Sequence, residues 1–196
     1  MLRVVRRSTS SAALLSLLLA SVLLPSCAKK TEEAPPPVTE TPAPAPALTD
    51  ANIAAIVVAA NTIDIQNAEL AKTKASNSAV KAFANQMITD HTAVNKQATD
   101  LVTKLGVTPE ENDTSRGLVS GADATRKEMS AKTGADFDKA YIDNEVTYHQ
   151  TVIDALDQTL VPGATNAELK ALLEGVRPAF VAHLEHAKQI QADLAK

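Results

Sequence analysis

From Ile53 nearly to the C-terminus, apolar residues recur at alternating spacings of three and four. That period puts them on one face of an α-helix. The first stretch reads Ile53, Val57, Ala60, Asp64, Asn67, Ala71 and predicts a helix over about 50–75, with Thr49-Asp50 offering its N-cap. A short turn at Asn77 and Ser78 leads to a second helix over 78–105, carrying Val80, Ala84, Met87, His91, Val94, Ala98, Leu101 and Leu105 and closing at Gly106. A third, over 135–160, carries Ile142, Glu145, His149, Val152 and Leu156, and Pro162-Gly163 breaks it. A fourth, over 166–195, carries Leu169, Leu173, Val176, Phe180, His183, Ala187, Ile190 and Leu194, with a kink or broken turn expected at Pro178. Residues 107–134 hold Pro109, Gly117, Gly121 and Gly134 and read as a long connection with a short helix near 119–131.

The connections set the topology. Helices one and two, and helices three and four, are joined by short turns, so each pair should be an antiparallel hairpin. The long segment between the second and third is enough for a crossover along the bundle. The expected fold is therefore all-α, a four-helix bundle with a long crossover between the second and third helices, as in ferritin-like folds. A plain up-down-up-down bundle remains the open alternative.

Each apolar stripe is broken by a polar residue: Asp64, His91, His149 with Glu145 four residues before it, and His183. All four breaks fall within about three residues of their helix midpoints, or roughly 4–5 Å along the axis. Midpoints of an antiparallel bundle meet whatever the chain direction, so these groups should share one layer. Inward polar groups cost stability unless they are paired. A hydrogen-bonded core network would satisfy them. So would a metal ion held between facing helices, with Asp64, His91, His149 and His183 as ligands and Asp90 and Glu145 as supporting acceptors that orient the imidazoles. Imidazole suits Zn, Cu or Fe. Di-iron bundle sites use four carboxylates with Glu-x-x-His on two helices, and the layer has no such motif, so mononuclear Zn or Cu fits better. His186, one turn beyond His183, has a more lateral register and reads as a surface residue in preference to an extra ligand, the open alternative. Met87, Tyr141 and Tyr148 read as packing residues. There is no Gly-rich phosphate loop and no nucleophile elbow, which leans against an enzyme.

Composition narrows the classes further. Across 196 residues the net charge is −4, aromatics make up 3%, and there is one cysteine. The acidity and the scarcity of stacking residues argue against nucleic acid as a partner. One cysteine excludes an internal disulfide framework. That cysteine, Cys27, follows Arg3, Arg6, Arg7, a mostly apolar run at 12–24 and the sequence Leu24-Pro25-Ser26. A run of about 13 residues is too short to span a bilayer, which takes about 20, but suits a secretory leader. Leu24 to Cys27 resembles a bacterial lipobox. The resemblance implies cleavage after residue 26 and palmitate-type acylation of Cys27, and Ala28 rather than Asp after the cysteine implies the outer membrane. Residues 28–47 contain six prolines and hardly any large apolar side chain, so they cannot bury enough surface to fold and read as an extended tether. The expected organisation is a leader at 1–26, a lipidated cysteine and tether at 27–48, and a helical domain at 49–196.

Phe83-Ala84, Met87 and Asp90-His91-Thr92, then Phe137-Asp138, Tyr141 and His149, then Pro178 and His183-Leu184, resemble in order the motifs of the bacterial envelope family called domain of unknown function 4142. The resemblance spans about 49–195. It implies a ferritin-like helical bundle in the bacterial envelope, often behind a signal sequence, with no established activity. Its first helix commonly carries Glu where this chain has Asp64. Together these readings lead to an expected lipoprotein on the periplasmic side of the outer membrane. Lipid on Cys27 joins it to the membrane, and a transition metal sits in its core for sequestration or stress protection. The alternatives are a metal-free structural or protein-interaction module of the envelope and, behind both, a small metallo-oxidase.

Overall fold

The computed structural model describes residues 47–196. The expectations for the leader, for Cys27 and for the tether up to residue 46 lie outside the described residues. Six helices follow in order: α1 (Asp50–Lys74), α2 (Ser78–Leu105), α3 (Asp113–Ser130), α4 (Gly134–Ala155), α5 (Val161–Gly163) and α6 (Ala167–Leu194). There is no strand among the described residues, and the fold is an all-α bundle whose four long members are α1, α2, α4 and α6.

Side-chain caps begin the helices where the sequence supplies them. Thr49 and Asn52 form a reciprocal capping box on α1, and Asn112 and Ser115 form another on α3. Asn77 and Asn166 each accept two backbone N–H groups at the starts of α2 and α6. Gly106 closes α2 in the left-handed region, at φ 65°, where a side chain would be strained.

The corner before α2 and the corner before α6 are built alike. Asp138, on α4, accepts the backbone N–H groups of Ser76 and Asn77 and the Ser76 hydroxyl. Asp50, on α1, accepts those of Thr165 and Asn166 and the Thr165 hydroxyl. These contacts place the starts of α2 and α4 together at one end of the bundle and the starts of α1 and α6 at the other. Lys104, late in α2, pairs with Glu168, early in α6, at that second end. The neighbouring long helices, α1 with α2, α2 with α6, α6 with α4 and α4 with α1, are consequently antiparallel. The connection from α2 to α4 returns the full length of the bundle, as a crossover requires.

The crossover itself departs from the expectation of a short helix near 119–131. Helix α3 has 18 residues and begins at Asp113, because the Asn112–Ser115 capping box nucleates it six residues earlier than the glycine positions indicate. Gly117 and Gly121 are both exposed, so nothing in the packing forces a break there. Helix α3 lies over α1, which explains why α1 buries Ala54, Ala55, Ile56 and Ile63 in addition to its predicted stripe.

The third helix also differs from expectation. Pro162-Gly163 does not end it sharply: the chain passes from α4 through a π-helical turn, Leu156–Leu160, into α5. The N–H of Val161 reaches the Leu156 carbonyl, the wider i to i+5 spacing of a π turn. That widening accommodates Pro162, which has no N–H to give. Pro178 sits inside α6 without interrupting it. Proline and the Glu174 position whose carbonyl loses its donor are both exposed, so water can satisfy that carbonyl.

The core has two apolar zones. One holds Ile53, Val57, Val94, Ile153, Leu173 and Phe180. The other holds Ala71, Phe83, Met87, Tyr141, Ile142 and Ile190. Along every long helix the polar breaks fall where one zone gives way to the other, so the polar layer lies between them.

Candidate metal centre

The layer expected from the stripes is formed. Asp64, His91, His149, His183 and Glu145 are all buried, none more than 3% exposed. His91 Nε2 lies 3.4 Å from Asp64 Oδ2, and His149 Nε2 lies 3.7 Å from the same oxygen. One donor atom from each of His91, His149 and His183 falls within 4.8 Å of the others, and the same is true of Asp64, Glu145 and His149. The two triads share His149. A tetrahedral ion with bonds of about 2.0–2.1 Å holds its donors about 3.4 Å apart, close to the Asp64–His91 separation.

The remaining ring nitrogens decide the tautomers. His91 Nδ1 is 2.8 Å from Asn61 Oδ1. The Asn61 amide nitrogen donates to the Val57 carbonyl at 2.8 Å, which fixes its oxygen toward the imidazole. His91 Nδ1 must therefore carry the hydrogen. His149 Nδ1 faces the Glu145 backbone carbonyl at 3.1 Å and must donate as well. His183 Nε2 faces Asp90 Oδ2 at 3.0 Å and donates to it. Each partner can only accept, so each imidazole is held with its other nitrogen as a bare lone pair. Those lone pairs are His91 Nε2, His149 Nε2 and His183 Nδ1. All three lack a hydrogen-bond partner among the described residues, as do both oxygens of Asp64 and Glu145 Oε2.

With both carboxyls ionised none of these six atoms can donate, and the unpartnered Tyr141 hydroxyl is a donor beside the carboxylates. Each unsatisfied buried group costs about 1–3 kcal/mol, so the arrangement is expensive in a folded core. Burial shapes the titration accordingly. Desolvation pushes Asp64 up to about 8 and raises Glu145 well above the usual carboxylate range, with the Asp64 charge adding to the second shift. Desolvation and the neighbouring imidazoles lower His91 to about 2 and His149 to about 4. His183 is also lowered by burial, against the opposing pull of Asp90. All three imidazoles are neutral at pH 7.

The aromatic surroundings hold the rings in place. Phe180 stacks on His91 with centroids 5.1 Å apart, and His149 stands edge-on to His183. The Tyr148 hydroxyl donates to the Ala60 carbonyl, a packing role as expected. Tyr141 is wholly buried and its hydroxyl is unpartnered beside the two carboxylates, whose charges join desolvation in raising it. Met87 is wholly buried core. His186 is exposed, facing Gln86 and the edge of Phe83, and stands apart from the cluster.

Of the expected supporting residues, Asp90 holds His183. Glu145 takes two parts: its carbonyl orients His149, and its carboxylate joins the second triad. Sequence reasoning missed Asn61, which orients His91. The available signal was the run Asn61, Asp64, Asn67 at steps of three on an otherwise apolar helix.

Two antiparallel helical hairpins joined by a bundle-length crossover, around a buried His/Asp/Glu group, define the class of protein. The chain belongs to the family described as Domain of unknown function (DUF4142), whose model matches residues 35–190. The fold is similar to that of a DUF305 protein from Streptomyces coelicolor, described as secreted, with a TM-score of 0.63 and 11% identity over 74% of this chain and 92% of that one. At that identity the likeness concerns the fold alone. No curated protein matches the chain. Among the described residues, no helix is long and apolar enough to cross a membrane.

Proposed function

We propose that this protein binds one divalent transition-metal ion, Zn, Cu or Fe, in the middle of the bundle. Asp64, His91, His149 and His183 are the ligands, and Asp90, Asn61 and the Glu145 carbonyl hold the imidazoles. The observation that carries the reading is a pair of buried triads sharing His149, His91–His149–His183 and Asp64–Glu145–His149, with His91 Nε2 and His149 Nε2 3.4 and 3.7 Å from Asp64 Oδ2 and three imidazole lone pairs without a hydrogen-bond partner among the described residues. Metal-bound histidines characteristically donate their other ring N–H to a carboxylate or carbonyl, and all three do so here. Charge supports a divalent ion. Once an ion displaces the protons that burial favours on Asp64 and Glu145, three neutral imidazoles and two carboxylates carry two negative charges, which a 2+ ion balances.

A metal-free core network is the second reading, favoured by the raised carboxyl groups: a proton on Asp64 and another on Glu145 would each supply a donor. Two protons still leave one of the three imidazole lone pairs unsatisfied, so this reading accounts for less of the geometry.

The biological role that follows is metal holding, for sequestration or for protection against metal stress, in a lipoprotein tethered through Cys27 to the outer membrane with the domain in the periplasm. The lipobox-like Leu24–Cys27 segment and the proline-rich stretch after it support that location. Thermal melts with Zn(II), Cu(II) or Fe(II) and with chelator test the metal reading. An ion bound only by the native state raises the melting temperature as its concentration rises. That rise is expected in the wild type and absent in the H91A/H183A double variant. Uptake surviving in the double variant would show that these residues do not form the site.

A further inference from the structure

Behind His91 the core contains a second feature, a cavity of about 50 Å³. Ile56, Val57, Val94, Leu173 and Val176 contribute to its wall, and the π turn adds Leu156 and Leu160. No polar surface faces into it. Two of its lining residues also touch the histidine cluster. Phe180 stacks on the His91 ring at 5.1 Å, and Asn61 accepts from His91 Nδ1 at 2.8 Å. At its outer end the cavity reaches Leu118 on α3 and the exposed Thr151 on α4.

Size and lining restrict the occupant. Pockets for organic ligands run to about 300–1,000 Å³, far larger than this one. A buried water needs two to four polar partners, and the polar atoms of the lining are engaged elsewhere, Asn61 with Val57 and His91 and the Thr151 hydroxyl with the Thr147 carbonyl, so the cavity should be dry. A small apolar molecule fits both constraints.

We propose that the cavity binds dioxygen, taken up between α3 and α4 and held against the Phe180–His91 pair. What that molecule meets there rests on the metal reading above. Its binding depends only on the cavity.

Xenon serves as the first probe, because it fills dry apolar cavities. Methyl NMR spectra of the chelator-treated protein under xenon pressure should show saturable shifts confined to Ile56, Val57, Val94, Leu173 and Val176. Dissolved dioxygen, which is paramagnetic, should broaden the same methyls. V152F puts a ring into the cavity wall and should remove both effects. L156A enlarges the space and should increase xenon uptake, which keeps the test decisive if V152F folds poorly. Absent or non-saturable shifts, shifts unchanged by V152F and L156A, xenon binding without oxygen broadening, or a water signal at these methyls would each overturn the proposal. Because every reading is taken on metal-free protein, its failure is separate from failure of the metal site, which metal analysis reports.

Discussion

Replacing Asp64 by Asn should stabilise the metal-free protein while destroying its response to metal. Asp64 is wholly buried, both its oxygens are unpartnered, and desolvation pushes its carboxyl from 3.8 to about 8. Delaying ionisation that far costs the folded state about 4 kcal/mol at pH 7. Asparagine keeps the shape, carries no charge and brings an amide N–H₂ toward His91 Nε2 or His149 Nε2, which lie 3.4 and 3.7 Å from the oxygen it replaces. The amide must itself be desolvated, so we expect a net gain of about 2 kcal/mol, or roughly 4–8 °C in melting temperature for a domain of this size. The folded carboxyl titrates above its unfolded value, so the penalty is absent below about pH 4 and grows to about pH 8. The advantage of D64N should grow over the same window. Urea unfolding of chelator-treated wild type and D64N at pH 4, 6 and 8 measures it. With metal present the order should reverse, because the variant has lost an anionic ligand. A variant less stable than wild type at pH 8 without metal, or an advantage that does not change with pH, would refute the reasoning, since Asp64 would then already be satisfied in the metal-free core.

Other perturbations read different parts of the site. N61A and D90A leave all four proposed ligands in place but free one imidazole each, and should weaken metal affinity about 10–100-fold in calorimetric titration. Metal must displace the protons that burial favours on Asp64 and Glu145, so binding at pH 7 should release about two protons per ion, seen as a dependence of the binding heat on buffer, and affinity should rise from pH 6 to pH 8. His91 and His149 are lowered to about 2 and about 4, so the unfolded chain takes up protons near pH 6.5 that the folded chain refuses. The folded state therefore loses stability as pH falls below 6.5, through about 4 for His149 and on toward 2 for His91, which acid unfolding of D64N should show with only the raised Glu145 carboxyl opposing it. D138A removes the acceptor of three hydrogen bonds at the corner before α2 and should cost about 2–4 kcal/mol in urea unfolding, with metal affinity little changed because Asp138 is distant from the layer in sequence register.

The bundle was legible in the sequence because its helices are long and one-sided: the stripes on α2 and α6 match the buried residues almost position for position. The polar layer was legible for a related reason, since a histidine amid Met87, Val94, Phe180 and Ala187 is conspicuous at helical spacing. Less legible was whatever depends on contacts from outside a helix. α1 is apolar nearly all round because α3 covers its outer face, so its periodicity hides Asn61 one position off the stripe. The full length of α3 was obscured because exposed glycines read as breakers, although nothing there needs a break. The π turn at Leu156–Leu160 leaves no mark in the periodicity of apolar residues, and with it the cavity beside His91 was invisible. The tautomers were also beyond reach, because they depend on how Asn61, Asp90 and a backbone carbonyl point.

The most direct test of the central claim is elemental analysis of the protein purified without a metal-binding tag, repeated after loading with Zn(II), Cu(II) or Fe(II) and exhaustive dialysis, beside H91A/H183A treated identically. The account predicts close to one divalent ion per chain in the wild type and none retained by the double variant. Wild type that retains no ion under any of these conditions, or a double variant that retains as much as wild type, would contradict it.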